Sequence, residues 1–223
     1  MRARRSPLEN TLLATWIVAA AAVLAFLHIG SEVREGEFTA IDRAVLTALR
    51  VPGHPHQAIG PHWLAESMRD VTALGGLTVL MLVIAIAAIA LLAYGHRRHA
   101  AILVGAAGAA QLSSGLFKHL YDRVRPTFAI YGDLPTSMSF PSGHSTVATA
   151  TYFLLAVIVA SLDPKRTVKV LAFAVAALLA IIIGASRVFL GVHWPSDVVA
   201  GWCLGAAWAL AASILLRALH RQS

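Results

Sequence analysis

The chain has 223 residues, 58% of them hydrophobic and only 13% charged, where a soluble domain carries about 25% charged residues. That balance argues against an ordinary soluble enzyme and for one compact membrane-embedded domain over 1–223. The formal charge of +7 does not point to nucleic acid, because the basic residues flank apolar runs and no basic tract is interleaved with aromatics.

A helix needs about 20 apolar residues to cross a bilayer core. Six stretches meet that length, at about 12–29, 75–94, 100–118, 143–162, 168–186 and 198–217. The expected fold is therefore all-α, a six-transmembrane-helix bundle. The first stretch follows a basic start, MRARRS, in the manner of a signal peptide. Its apolar run, Leu12 to Ile29, is longer than the about 7–15 residues of a signal-peptide core, and no small-x-small cleavage site follows. It reads as an uncleaved first membrane helix.

The link from Gly30 to Leu74 carries two amphipathic patterns. Phe38, Ile41, Val45, Leu46 and Leu49 share one helical face, and Thr39 with Asp42 resembles a capping pair. Trp63, Leu64, Met68, Val71 and Leu74 form the second. Between them VPGHPHQAIGPH is rich in turn residues and breaks any helix. These short helices are expected at the membrane surface or over the outer ends of the bundle. His54, His56 and His62 read as solvated loop histidines, since no carboxylate accompanies them.

The third stretch includes GAAGAA (Gly105 to Ala110), and GAAWALAAS (Gly205 to Ser213) lies in the sixth. Small residues let helix backbones approach closely in lipid. Gln111, Ser113 and Ser114 read as interhelical hydrogen-bonding residues. Cys203, the single cysteine, excludes an internal disulfide and reads as a small packing residue.

Lys and Arg set the orientation. Arg2, Arg4 and Arg5, Arg97 and Arg98, Lys165, Arg166 and Lys169, and Arg217 and Arg221 crowd the short segments on one side, which makes that side cytoplasmic with both termini on it. The opposite face holds Lys118, Arg123, Arg125, His144, Arg187, His193 and Asp197, all near helix ends. Ionisable groups at membrane depth are costly and usually functional. Snorkelling accounts for any one of them, but not for cations and histidines gathered against the positive-inside trend.

Three cations, Lys118, Arg125 and Arg187, are enough to neutralise a phosphate, and arginine forks match its oxygens. PSGH stands where the fourth stretch starts, so the first N–H groups of that helix can receive an anion. His193 and Asp197 are one helical turn apart, so Asp197 can orient the His193 ring and leave the other nitrogen free to attack. Pro195 suits the first turn of the last helix. His144 remains as a proton donor.

These residues resemble the type 2 phosphatidic acid phosphatase family, integral-membrane lipid phosphatases related in fold to vanadium haloperoxidases. KHLYDRVRP matches its first motif through Lys118, Arg125 and Pro126. PSGH, Pro141 to His144, matches the second. SRVFLGVHWPSD matches the third through Ser186, Arg187, His193 and Asp197. The motif-bearing core covers about 100–217.

The resemblance implies a metal-independent phosphatase without cofactor. In it His193 is the nucleophile and forms a phosphohistidine, Asp197 orients it, and His144 protonates the leaving oxygen and then activates water. Lys118, Arg125, Arg187 and the main-chain N–H groups of Ser142 and Gly143 clamp the phosphate. The implied partner is a lipid phosphate or diphosphate among membrane lipids, with phosphatidic acid, phosphatidylglycerol phosphate and undecaprenyl diphosphate as candidates. Lipid A phosphatases and phosphotransferases fall in the same group. The implied location is a bacterial cell membrane, with the site on the periplasmic or extracellular face.

Outside the motifs, Arg123 is open between a headgroup contact and a solvated or lipid-facing role. Asp122 is open between pairing with Arg123 or Arg125 and facing water. His119 is read as non-catalytic, and Trp194 as packing at the interface. A lipid transporter or scramblase is the rival from another class. It is disfavoured by charges clustered at one surface and by the lack of an inverted repeat.

Overall fold

The computed structural model describes residues 7–131 and 137–220, with side chains described for 12–131 and 137–219. The elements in chain order are α1 (Pro7–Glu35), α2 (Thr39–Ala48), β1 (Arg50–Val51), β2 (His54–Ala58), α3 (His62–Ala73), α4 (Leu77–Ala93), α5 (Arg97–Tyr121), α6 (Gly143–Leu162), α7 (Arg166–Phe189) and α8 (Pro195–His220).

Among the described residues five helices, α1, α5, α6, α7 and α8, are long and apolar enough to cross a membrane. The expected second stretch is α4, which has 17 residues and passes the same test only together with α3, across a 45° bend. Gly75 and Gly76 form that bend, and a Cβ on Gly75 would lie 2.5 Å from Ile183 Cγ2. The outward side chains are apolar, as in Met81, Leu82, Ile86 and Ile89 of α4.

α6 is the centre of the bundle. More than half (56%) of its apolar window is buried, against 6% for α1. α8 lies directly on it, because Gly201 and Gly205 stand one turn apart at the contact. A Cβ there would lie 2.8 Å from the Ser142 carbonyl oxygen and 2.4 Å from that of Thr146. Close approach through small residues was expected of this stretch. The GAAGAA glycines differ: Ala107 and Ala110 are buried, whereas Gly105 and Gly108 face open space. Of the polar residues on α5, Ser113 makes an interhelical bond, accepting from Trp208 Nε1 at 2.9 Å. Gln111 faces a groove instead, and buried Ser114 Oγ has no hydrogen-bond partner among the described residues.

The link after α1 contains the short helices α2, packed on α8, and α3, packed on α7. Two expectations are corrected here. The turn-rich stretch forms a small antiparallel hairpin, β1 with β2, so the fold is not purely helical. Gly53, at φ +80°, makes the tight reversal possible. Thr39 and Asp42 are also not a capping pair: the N-cap is Phe38, without a side-chain bond, and the Asp42 carboxylate turns inward to α8.

Candidate active site

The cations come from three chain segments. Lys118 lies in the last turn of α5. The helix stops at Asp122, whose φ of 46° is left-handed and whose N–H returns to the Lys118 carbonyl. Exposed Asp122 thus ends the helix and is not part of the site. The chain then runs, outside helix and strand, through Arg123 and Arg125. Arg187 occupies the last turn of α7.

His193 stands on the short link from α7 to α8. Gly191, at φ +72°, turns that link against the main chain of Phe128, where a Cβ would lie 2.1 Å from the carbonyl oxygen. Pro195 opens α8 and Asp197 lies in its first turn.

The His193 ring is buried between a carboxylate and a guanidinium. Nδ1 faces Asp197 Oδ2 at 3.3 Å, and Nε2 faces Arg125 Nη1 at 3.0 Å. An Arg donor at Nε2 and a carboxylate at Nδ1 define the neutral ring with its proton on Nδ1. Burial holds the His193 pKa well below its usual value, helped by the charges of Arg187, Arg125, Lys118 and His144. Asp197 is wholly buried. Its Oδ2 also accepts the Trp194 N–H at 2.9 Å and the Ser139 hydroxyl, and its Oδ1 accepts from Arg123 Nη1 at 2.6 Å.

The expected phosphate clamp is gathered around His193, with its donors differently engaged. Lys118 Nζ donates to the Met138 carbonyl at 2.5 Å. Arg125 donates to the carbonyls of Ser137 at 2.7 Å, Val192 at 2.6 Å and Met138 at 3.4 Å, and to the Ser137 hydroxyl at 3.1 Å. Arg187 Nη1 donates to Thr72 Oγ1 at 3.0 Å, while its buried Nε has no partner among the described residues. A buried, unpaired guanidinium N–H is a donor waiting for an acceptor.

His144 is the second residue of α6 and packs against Gly75, where a Cβ would lie 3.4 Å from its own Cβ. Gly143 lies close to Lys118 Cε.

Ser142 departs from expectation. Its N–H bonds the Asp197 carbonyl at 3.0 Å, and its hydroxyl caps α6 by accepting from Ser145 N at 3.4 Å. Among the described residues, the N–H groups left open at this helix end are those of Gly143 and His144.

Sequence reasoning gave no place at the site to Asp42, Thr72 and Ser139, and left Arg123 open. Arg123, largely buried, bridges Asp197 and Asp42, at 2.6 and 2.7 Å. One signal was present: Asp42 interrupts the stripe of Phe38, Leu46 and Leu49 at helical spacing, a carboxylate on an apolar face. Of the loop histidines, His56 Nδ1 meets the Ala129 carbonyl at 3.0 Å and His62 pairs with Glu66. Trp194 Nε1 donates to the Val124 carbonyl at 2.9 Å.

A buried histidine between carboxylate and guanidinium, ringed by cations at one end of an apolar bundle, defines a membrane protein built to handle phosphoryl groups. The PAP2 superfamily profile matches residues 99–221, and the chain belongs to that superfamily. It is 31% identical to phosphatidylglycerophosphatase B of Bacillus subtilis over 183 residues, 82% of this chain and 86% of that one. It is 35% identical to undecaprenyl-diphosphatase of Sulfolobus acidocaldarius over 86 residues, 39% of this chain and 37% of that one. The crystal structure of a transmembrane PAP2-type phosphatidylglycerolphosphate phosphatase from Bacillus subtilis superposes with a TM-score of 0.79. That match is at 27% identity and covers 92% of this chain and 96% of that one. The protein is a multi-pass membrane protein and a lipid phosphatase.

Proposed function

We propose that the protein hydrolyses a lipid phosphomonoester or diphosphate through a phosphohistidine on His193 Nε2, without metal, in a six-span bundle whose site opens on the outer face. The observation that carries this reading is the His193 ring, with Nδ1 on Asp197 and Nε2 on Arg125, the direction in which phosphate would enter. Phosphate oxygens would replace main-chain carbonyls as acceptors for Lys118 and Arg125, and would satisfy Arg187 Nε.

The Nε2 lone pair attacks phosphorus as the bond to the leaving oxygen breaks, and His144 gives that oxygen its proton. Asp197 offsets the positive charge that the ring acquires. Water then attacks the phosphohistidine and passes a proton to His144, and phosphate leaves with the His193 ring neutral again. The fixed cations and the Gly143 and His144 N–H groups stabilise charge on the equatorial oxygens.

A groove of about 500 Å³ between α4 and α5 suits the lipid tail. Leu80, Met81, Val104, Gly108 and Leu112 line it, and it reaches Val147, one turn along α6 from His144. Phosphatidylglycerol phosphate is the first substrate to test, given the extent of the match to the Bacillus subtilis enzyme. Phosphatidic acid, undecaprenyl diphosphate and a lipid A phosphate follow.

The test is phosphate release by detergent-purified protein in EDTA, with each lipid, beside His193→Ala. Release that is lost in the variant is the expected result. Full release by His193→Ala would remove the nucleophile assignment. Absence of release, together with lipid movement across vesicles by both proteins, would favour transport.

A further inference from the structure

Arg123 lies between two buried carboxylates. Nη1 donates to Asp197 Oδ1 at 2.6 Å and to Ser196 Oγ at 2.8 Å. Nη2 donates to Asp42 Oδ2 at 2.7 Å. Asp42 accepts twice more, from the Ser196 N–H at 3.0 Å and the Ser196 hydroxyl at 2.6 Å. Asp42 is 1% exposed and Asp197 0%. The guanidinium also lies over the Trp194 ring, 5.5 Å from its centroid.

A buried carboxylate without a cation takes up a proton rather than remain charged. A protonated Asp197 would offset none of the charge that His193 acquires on attack. Arg123 supplies the cation. Alone, a guanidinium beside the anion-binding residues could turn toward an incoming phosphate instead of Asp197. Asp42 removes that freedom by holding the second edge of the fork. Asp42 is itself fixed to the first turn of α8, the turn that carries Asp197, through the Ser196 N–H. A carboxylate is favoured at that helix end. The contacts therefore run without a gap from α2 of the outer link to the reacting ring.

We propose that Asp42 and Arg123 are positioning residues for phosphoryl transfer, holding Asp197 charged and aimed at His193 Nδ1, so that helix α2 is part of the reaction machinery. This rests on the assignment of His193 as nucleophile.

The test uses the full chain in detergent, with Arg123→Gln, Arg123→Lys, Asp42→Asn and His193→Ala. Steady-state hydrolysis of phosphatidylglycerol phosphate is measured, with inorganic phosphate as competitive inhibitor to report on the clamp. Arg123→Gln is expected to lower kcat about 100-fold, the scale of a misplaced reacting group. KM and the phosphate inhibition constant are expected to stay near wild type, because Lys118, Arg125 and Arg187 are untouched. Asp42→Asn moves the same way by less. Arg123→Lys recovers part of the loss, since it restores the charge without the fork. In ¹⁵N-histidine spectra the hydrogen-bonded Nδ1–H of His193, present in wild type, is expected to shift in both Arg123→Gln and Asp42→Asn.

A folded Arg123→Gln or Asp42→Asn with wild-type kcat overturns the proposal, as does a change confined to melting temperature. If Arg123→Gln does not fold, Asp42→Asn decides, because it removes a charge with little change of shape. Activity surviving in His193→Ala sinks the nucleophile assignment and this relay with it. Activity lost in His193→Ala but intact in Arg123→Gln sinks the relay alone.

Discussion

Arg125 and His193 meet through the ring nitrogen that faces away from Asp197, with Arg125 Nη1 3.0 Å from Nε2. A positive neighbour on that nitrogen is compatible only with a lone pair there, and burial disfavours a ring charge as well. His193 is therefore expected to stay neutral well below the usual histidine pKa of about 6.5. ¹⁵N-histidine spectra should show its ring neutral, with the single proton on Nδ1, through and below the usual titration range; titration near about 6.5 would contradict the geometry. The stability consequence has a definite sign. The unfolded chain takes up the proton near 6.5 and the folded one does not, so this contribution is complete above about 6.5 and falls as the solution is acidified toward the depressed folded value.

Gly205 faces the Thr146 carbonyl oxygen across the α6–α8 contact, where a Cβ would approach to 2.4 Å. Gly205→Val must push the two helices apart. A loss of about 1–3 kcal/mol is expected, the usual scale of overpacking, read as a lower melting temperature in detergent. Activity should fall with it, because the same two helices carry His144 and Asp197.

Gly191→Ala is expected to disturb the site from outside it. A left-handed conformation costs a side chain about 1–2 kcal/mol, and the added methyl meets the Phe128 carbonyl. His193 is two residues further along. A lower kcat together with lower thermal stability is the expected pair of readings.

The α4–α5 groove can be tested by filling it. Gly108 has open space at its Cβ position, so Gly108→Trp should fold normally. It is expected to lower kcat/KM for a long-chain lipid phosphate while leaving hydrolysis of a short, water-soluble phosphate unchanged. Equal loss on both substrates would place the tail elsewhere.

The candidate site was legible in the sequence because each motif is a local pattern. Lys118 with Arg125, Gly143 with His144, and Arg187, His193 and Asp197 announce themselves by spacing, and the fold brings the three sets together. The apolar stretches were readable for the same reason, since each meets lipid on its own account. α4 is the exception: it reaches a full span only across the bend at Gly75 and Gly76, and no apolar count reveals a bend. The Asp42–Arg123 pair, the Thr72 hydroxyl on Arg187 and the Ser139 hydroxyl on Asp197 join distant parts of the chain. Their meeting depends on how α2 and α3 fold back over the bundle, which no local pattern encodes. The availability of Ser142 was misread similarly: a free helix end looks the same in sequence whether its first N–H faces a ligand or a neighbouring helix.

That Ser142 N–H, bonded to the carbonyl of Asp197, ties the start of α6, where His144 lies, to the first turn of α8, where Asp197 lies, through main chain alone. At position 142 only proline, which lacks the N–H, would remove that bond directly. Residues lining the α4–α5 groove can be exchanged without touching that tie, whereas Asp42 and Thr72 of the link after α1 cannot be exchanged without loss of a bond to Arg123 or Arg187. The lipid that the groove would accept and the spacing of these two helix ends can thus vary independently of one another.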